Sequence, residues 1–193
     1  MSVLEKVREF VRERLEGERV SGLDHAERVL YWCERLGEAV GADLEVLRLA
    51  ALLHDVAVPT AGRERHFEEG ARMARELLSK LGLSEEKVEA VASAIRAHST
   101  FGGPEPETLE EKVLFDADRL DFIGAIGIAR AIARGLLSGA YSGDVSELPE
   151  LLRKTLEKGR KVHTEEARRV AEGRIKFMEE FIRQLEAELR GER

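Results

Sequence analysis

Apolar residues recur at helical spacing along almost the whole chain. Val3, Leu4, Val7, Phe10, Val11 and Leu15 mark a first helix, and Gly17 and Gly22 flank the break after it. A second helix is predicted over about 23–40, with Val29, Leu30, Cys33, Leu36 and Val40 on its apolar face. A third, over about 44–56, lies in the run LEVLRLAALLHDVAV, which is apolar nearly all round and so marks a buried central helix. Pro59 and Gly62 break it. A fourth helix covers about 64–81 and closes at Gly82, and Ser84 opens a fifth that reaches His98. The segment TFGGPEPE is a loop. Thr108 and Glu111 then form a capping-box pattern that opens one long apolar stretch, 109–137, with room for flexibility at Gly124 and Gly127. After the loop SGAYSGD, two more helices are predicted, over about 146–162 and 164–189. No strand alternation persists, and there is no internal repeat or low-complexity tract, so the pattern predicts an all-α fold.

Composition narrows the class. At 193 residues, with 43% hydrophobic and 36% charged, the chain suits one domain, or one domain with an added hairpin, and is not a disordered chain. The longest run free of charged or strongly polar residues, Phe122 to Ala129, is too short to span a bilayer. The start, MSVLEKVREF, carries charges where a signal peptide needs an apolar stretch. The expectation is a soluble, cytoplasmic protein with no membrane partner. Cys33 is the only cysteine, which excludes an intramolecular disulfide and a multi-cysteine metal site. A net charge of −7 argues against a nucleic-acid partner bound through phosphate contacts. An anionic ligand would need a local device, such as a metal ion or a few arginines. The chain has no Asn and a single Gln, Gln184, and Arg outnumbers Lys. That bias points to a thermophile, although GC-rich coding gives the same arginine excess.

Candidate chemistry sits on a few histidines and aspartates. His54 ends the apolar central helix and Asp55 follows it. A buried imidazole beside a carboxylate is costly unless paired, and a shared divalent cation is one solution. An ordinary helix C-terminus with a dipole-favoured His is the other reading. His25 shares the buried face of the second helix with Val29, Cys33 and Leu36, as a core or capping histidine or as a ligand. Arg28, one turn along, is either a phosphate contact or the partner of Glu27 or Glu34. In FDADRLDFIGAIGIAR, Asp118 and Asp121 share a helical face and call for a cation, either Arg119 or a metal, whereas Asp116 points elsewhere.

His25, the His54–Asp55 doublet in ALLHD and Asp118 in DADRLD occur in the order and context of the HD-domain superfamily of metal-dependent phosphohydrolases, which the chain resembles over about residues 22–135. The late segment is similar to a branch of small bacterial and archaeal HD proteins. The resemblance implies a helical HD fold. Residues 1–144 are read as its core, and 145–193, more charged and more plainly amphipathic, as a C-terminal helical extension that packs on the core, forms a dimer surface or covers the site. It carries the metal-ligand role onto His25, His54, Asp55 and Asp118. His66 and His98 match positions where the branch often has extra histidines. They would complete a second metal site, line a phosphate pocket, or have no site role. The resemblance further implies one or two divalent ions (Mn, Zn, Fe, Ni or Mg) and a phosphate substrate of the nucleotide class. Some relatives carry an acidic residue a turn after the doublet; here that stretch is Val56-Ala57-Val58-Pro59, which leaves water activation to the metal with Asp55, Asp121 or a histidine as helper. A di-iron oxygenase or a non-catalytic nucleotide-binding domain are the competing expectations. The apolar stripe on the last helix serves either a homodimer or the core.

Overall fold

The computed structural model describes residues 1–99 and 101–192, and these form ten α-helices, one 3-10 turn and no strand. Thr100, which opens the expected loop TFGGPEPE, and Arg193, the end of the expected extension, lie outside the described residues. None of the described helices is long and apolar enough to cross a membrane. The chain divides into two compact units, Met1–Asp118 and Arg119–Arg193. This division falls within the helix that carries Asp118, rather than in the loop before residue 145.

The first unit holds α1 (Val3–Arg14), α2 (Leu23–Val40), α3 (Leu44–Leu53), α4 (Val58–Ala61), α5 (His66–Lys80), α6 (Glu85–Ala97) and all but the last turn's end of α7 (Leu109–Leu120). The apolar run from Leu44 makes α3 the hub: it packs against α1, α2, α5 and α6, and Leu47, Ala50, Ala51, Leu52 and Leu53 are fully buried. Local sequence fixes the helix starts. Ser2 and Glu5 form a reciprocal capping box, Asp43 accepts from the Glu45 and Val46 amides, and Ser84 caps α6. At α7, Thr108 Oγ1 accepts from Glu111 N at 3.2 Å while Glu111 Oε2 accepts from Thr108 N at 3.1 Å. Glu111 also takes the Ser93 hydroxyl at 2.6 Å, which ties α7 to α6. Before α2, the Glu18 carboxylate accepts from Val20 N at 2.9 Å and Ser21 N at 3.0 Å. A Cβ at Gly22 would stand 2.7 Å from Glu18 O, so only glycine admits this tight entry to α2.

Two expected helices come out shorter. α3 stops at Leu53, and residues 54–57 form turns that lead into α4, where Pro59 occupies the first helical turn instead of merely ending a helix. The stretch 109–137 is two helices, α7 and α8 (Gly124–Ser138), because Gly124 takes φ +74° and reverses the backbone between them.

In the second unit, α8, a 3-10 turn at Val145–Glu147, α9 (Leu148–Gly159) and α10 (Glu165–Leu189) follow in order, and α8, α9 and α10 pack pairwise. Close approach depends on Gly135, where a Cβ would lie 2.7 Å from Tyr141 Cβ. The apolar face of α10 is divided: Ala167, Ala171, Met178 and Ile182 are buried, whereas Phe177, Phe181 and Leu189 are exposed.

Candidate metal centre

Five elements of the first unit bring their polar side chains to one buried point. His25 lies in the first turn of α2, His54 caps the C-terminus of α3 and Asp55 follows it. His66 is the first residue of α5, His98 caps the C-terminus of α6, and Asp118 lies in the last turn of α7. All six side chains are buried. Gly70 packs here, where a Cβ would meet His54 O at van der Waals distance, 3.4 Å, and any larger side chain would press on it.

The local backbone sets the tautomers. His54 Nδ1 lies 2.8 Å from Ala51 O, His66 Nδ1 2.7 Å from Arg63 O, and His98 Nδ1 2.5 Å from Ile95 O. A carbonyl can only accept, so each Nδ1 carries the proton and each Nε2 turns a lone pair inward. The same bonds satisfy carbonyls that α3 and α6 leave orphaned at their C-termini. Two pairs of Nε2 atoms then face each other, His25 with His54 at 3.2 Å and His66 with His98 at 3.2 Å.

Asp55 stands between the pairs. Its Oδ2 faces His25 Nε2 at 3.7 Å and His54 Nε2 at 3.6 Å. Its Oδ1 faces His66 Nε2 at 3.3 Å and His98 Nε2 at 3.8 Å. The ligand atoms therefore form two groups, His25–His54–Asp55 and Asp55–His66–His98, which share one carboxylate. Asp118 Oδ1 approaches the first group, 3.3 Å from His25 Nε2.

Electrostatics favour a metal over a proton here. Burial holds the His54 imidazole down to about 4 even though Asp55 pulls the other way. Burial likewise lowers His66. Burial would raise Asp55, but His54, His98, His25 and His66 outweigh it and hold the carboxyl well below its usual range. At neutral pH His54 and His66 thus stand unprotonated beside an ionised Asp55 carboxylate. Imidazole Nε2 atoms gathered at 3.2 Å around a carboxylate form a donor set that suits zinc, manganese, iron or nickel. The residues fit a divalent ion.

The other sequence candidates are placed differently. Arg28 Nη1 donates to Asp24 Oδ2 at 2.9 Å. Glu27 is engaged by Arg8 at 2.5 Å and Glu34 by Arg48 at 2.7 Å. Asp121 belongs to the second unit, where its Oδ2 accepts from Arg130 Nη1 at 3.1 Å. Arg63 had drawn no attention in the sequence: its carbonyl orients His66, while its guanidinium donates to Ser21 Oγ at 2.9 Å. The contact spans 42 positions, and no local pattern signals it.

Comparison with known proteins agrees with this geometry. A family model described as HD domain matches residues 22–123. The Bacillus subtilis (strain 168) protein YpgQ is 35% identical over 97% of this chain and 94% of its own length. The crystal structure of YpgQ in complex with ADP superposes with TM-score 0.77 at 32% identity, covering 96% of this chain and 94% of that one. The 1.45 Å crystal structure of a predicted HD superfamily hydrolase from an uncultured Thermotogales bacterium gives TM-score 0.71 at 32% identity, over 96% and 92%. With a family match across more than half its length, and the His, His-Asp and Asp elements gathered in one buried cluster, this chain belongs to the HD-domain family.

Proposed function

We propose that the protein is a metal-dependent phosphohydrolase acting on a nucleotide or a related phosphate ester or anhydride. The observation that carries the reading is the pair of Nε2–Nε2 contacts astride Asp55. His25, His54, Asp55 and Asp118 would hold one divalent ion, and His66, His98 and the second oxygen of Asp55 another. An ion in such a site supplies Lewis-acid polarisation of a phosphoryl oxygen and acidification of water from ~15.7 toward about 7. The protein's own part is orientation. The Ala51, Arg63 and Ile95 carbonyls fix three imidazoles so that those rings need not turn on loading. Burial strengthens each charge interaction within the site. Arg28, which also bonds Asp24, is the arginine proposed to contact a phosphate. Asp121, held by Arg130, fits the role of positioning that cation better than that of activating water.

The ADP complex of YpgQ supports the nucleotide part of the reading. The test is a panel of nucleoside mono-, di- and triphosphates and cyclic diesters with manganese, zinc, iron, nickel or magnesium. Wild type should release phosphate or pyrophosphate from at least one of them, and His54→Ala should abolish it. A His54→Ala variant with full metal-dependent hydrolysis would refute the assignment. A second reading, di-iron oxygen chemistry, draws on the same Asp55–His66–His98 group. Two irons per chain with substrate-dependent oxygen consumption would favour it. Tight nucleotide binding with no turnover of any phosphate compound would favour a non-catalytic domain.

A further inference from the structure

Two phenyl rings of the first unit stand against the His66 imidazole. Phe67 is buried and meets it edge-to-face, with ring centroids 5.9 Å apart. Phe101 meets it at 6.4 Å with the ring planes 79° apart, yet 46% of this residue is exposed. The imidazole itself is only 3% exposed, so Phe101 stands where the metal centre meets solvent. The backbone holds the ring there. Buried Ser99 accepts the Phe101 amide on its Oγ at 3.2 Å. Gly102 follows at φ +113°, and a Cβ at Gly103 would run into Arg96 O and stand 3.0 Å from Ser99 O. Only glycine lets the chain fold back on the end of α6 in this way. Among the described residues, the large apolar side chains exposed in the first unit are Met1, Tyr31, Phe101 and Leu109. Of these, Phe101 is the one in ring contact with the metal cluster. An aromatic ring left half in water forgoes the gain of burial, and a flat apolar ligand laid on it restores that gain.

We infer that Phe101 is the platform on which the base of a nucleotide stacks while its phosphate lies on the metal centre. This rests on the phosphohydrolase reading and names how that site distinguishes a nucleotide from a bare phosphate ester. An ion held by imidazoles and carboxylates attracts phosphate oxygens, and that attraction carries no information about a base. Every base has a π-face, and an exposed phenyl ring beside the ion recognises it by stacking. The ring makes its contact with His66 at one edge of the cluster, so the base would lie outside the buried centre and the phosphate within it.

The experiment is calorimetric titration of the full, metal-loaded chain with AMP and with ribose 5-phosphate, which share sugar and phosphate and differ by the base. Wild type is compared with Phe101→Leu, which keeps an apolar cover over His66 without a ring, and with Phe101→Tyr, which keeps the ring. Thermal melting and metal content check that each variant is folded and loaded. Wild type should bind AMP about tenfold or more tightly than ribose 5-phosphate. Phe101→Leu should erase most of that margin by weakening AMP alone, and Phe101→Tyr should keep it. AMP bound no more tightly than ribose 5-phosphate by wild type would overturn the inference. So would an intact margin in Phe101→Leu, or an equal loss of both ligands there, which would mark the ring as part of the metal centre's packing. The expected binding pattern without hydrolysis of any phosphate compound would refute the proposed activity and leave the platform standing. Hydrolysis with an intact margin in Phe101→Leu would do the reverse.

Discussion

Consider the metal-free protein as pH falls. His54 has an ordinary value of 6.5 and is held at about 4 in the folded chain, chiefly by burial. The unfolded chain therefore binds this proton more readily than the folded one between those limits. The sign follows: above about pH 6.5 the imidazole costs nothing, and the cost grows as pH falls and is complete near pH 4. At 1.36 kcal/mol per pH unit, the drop from 6.5 to about 4 is worth about 3 kcal/mol of lost stability. For a domain of this size, 1 kcal/mol moves the melting midpoint by about 2–4 °C, so His54 alone should account for roughly 6–12 °C. His66, lowered in the same sense, adds to the slope. The assay is thermal melting of chelator-treated wild type and His54→Gln from pH 7.5 to 4.5. Wild type should lose stability steeply over that range, and His54→Gln should lose distinctly less. A flat wild-type curve, or the same slope in His54→Gln, would refute the claim that this imidazole is held neutral by burial.

Two further outcomes follow from the same geometry. An ion present at a hundred times its dissociation constant stabilises by about 2.7 kcal/mol per site, so removing two ions at pH 7.5 should lower the melting midpoint by roughly 11–22 °C, read by calorimetry with metal content checked in parallel. Gly70→Val should cost about 1–3 kcal/mol by overpacking and weaken metal retention, because its side chain must displace the His54 carbonyl and Ile95 Cγ2, each 3.4 Å from a Cβ at that position. Unchanged metal content in a destabilised Gly70→Val chain would show that the α3–α5 contact does not position His54.

The sequence was legible where local rules act. Helical period, caps at Ser84 and Thr108, and the order His25, His54–Asp55, Asp118 foretold the helices and named residues that do converge, whereas the caps at Ser2 and Asp43 went unread. What the pattern left open were long-range choices. That His66 meets His98, and that one carboxylate stands between two imidazole pairs, depends on the packing of α5 against α6 and of both against α3. The end of α3 was missed because apolar character runs on past Leu53, while the backbone turns where the His54 ring takes Ala51 O. The break at Gly124 was visible only as possible flexibility, since a glycine does not announce the sign of its φ.

The central claim is that Asp55 serves two metal sites at once. The most direct measurement is metal per chain by plasma mass spectrometry, on protein made without a metal-affinity tag and incubated with manganese, zinc, iron or nickel. The account predicts about two ions in wild type, about one in His98→Gln, and fewer than one in Asp55→Asn. No metal in wild type, or the wild-type count in either variant, would contradict it.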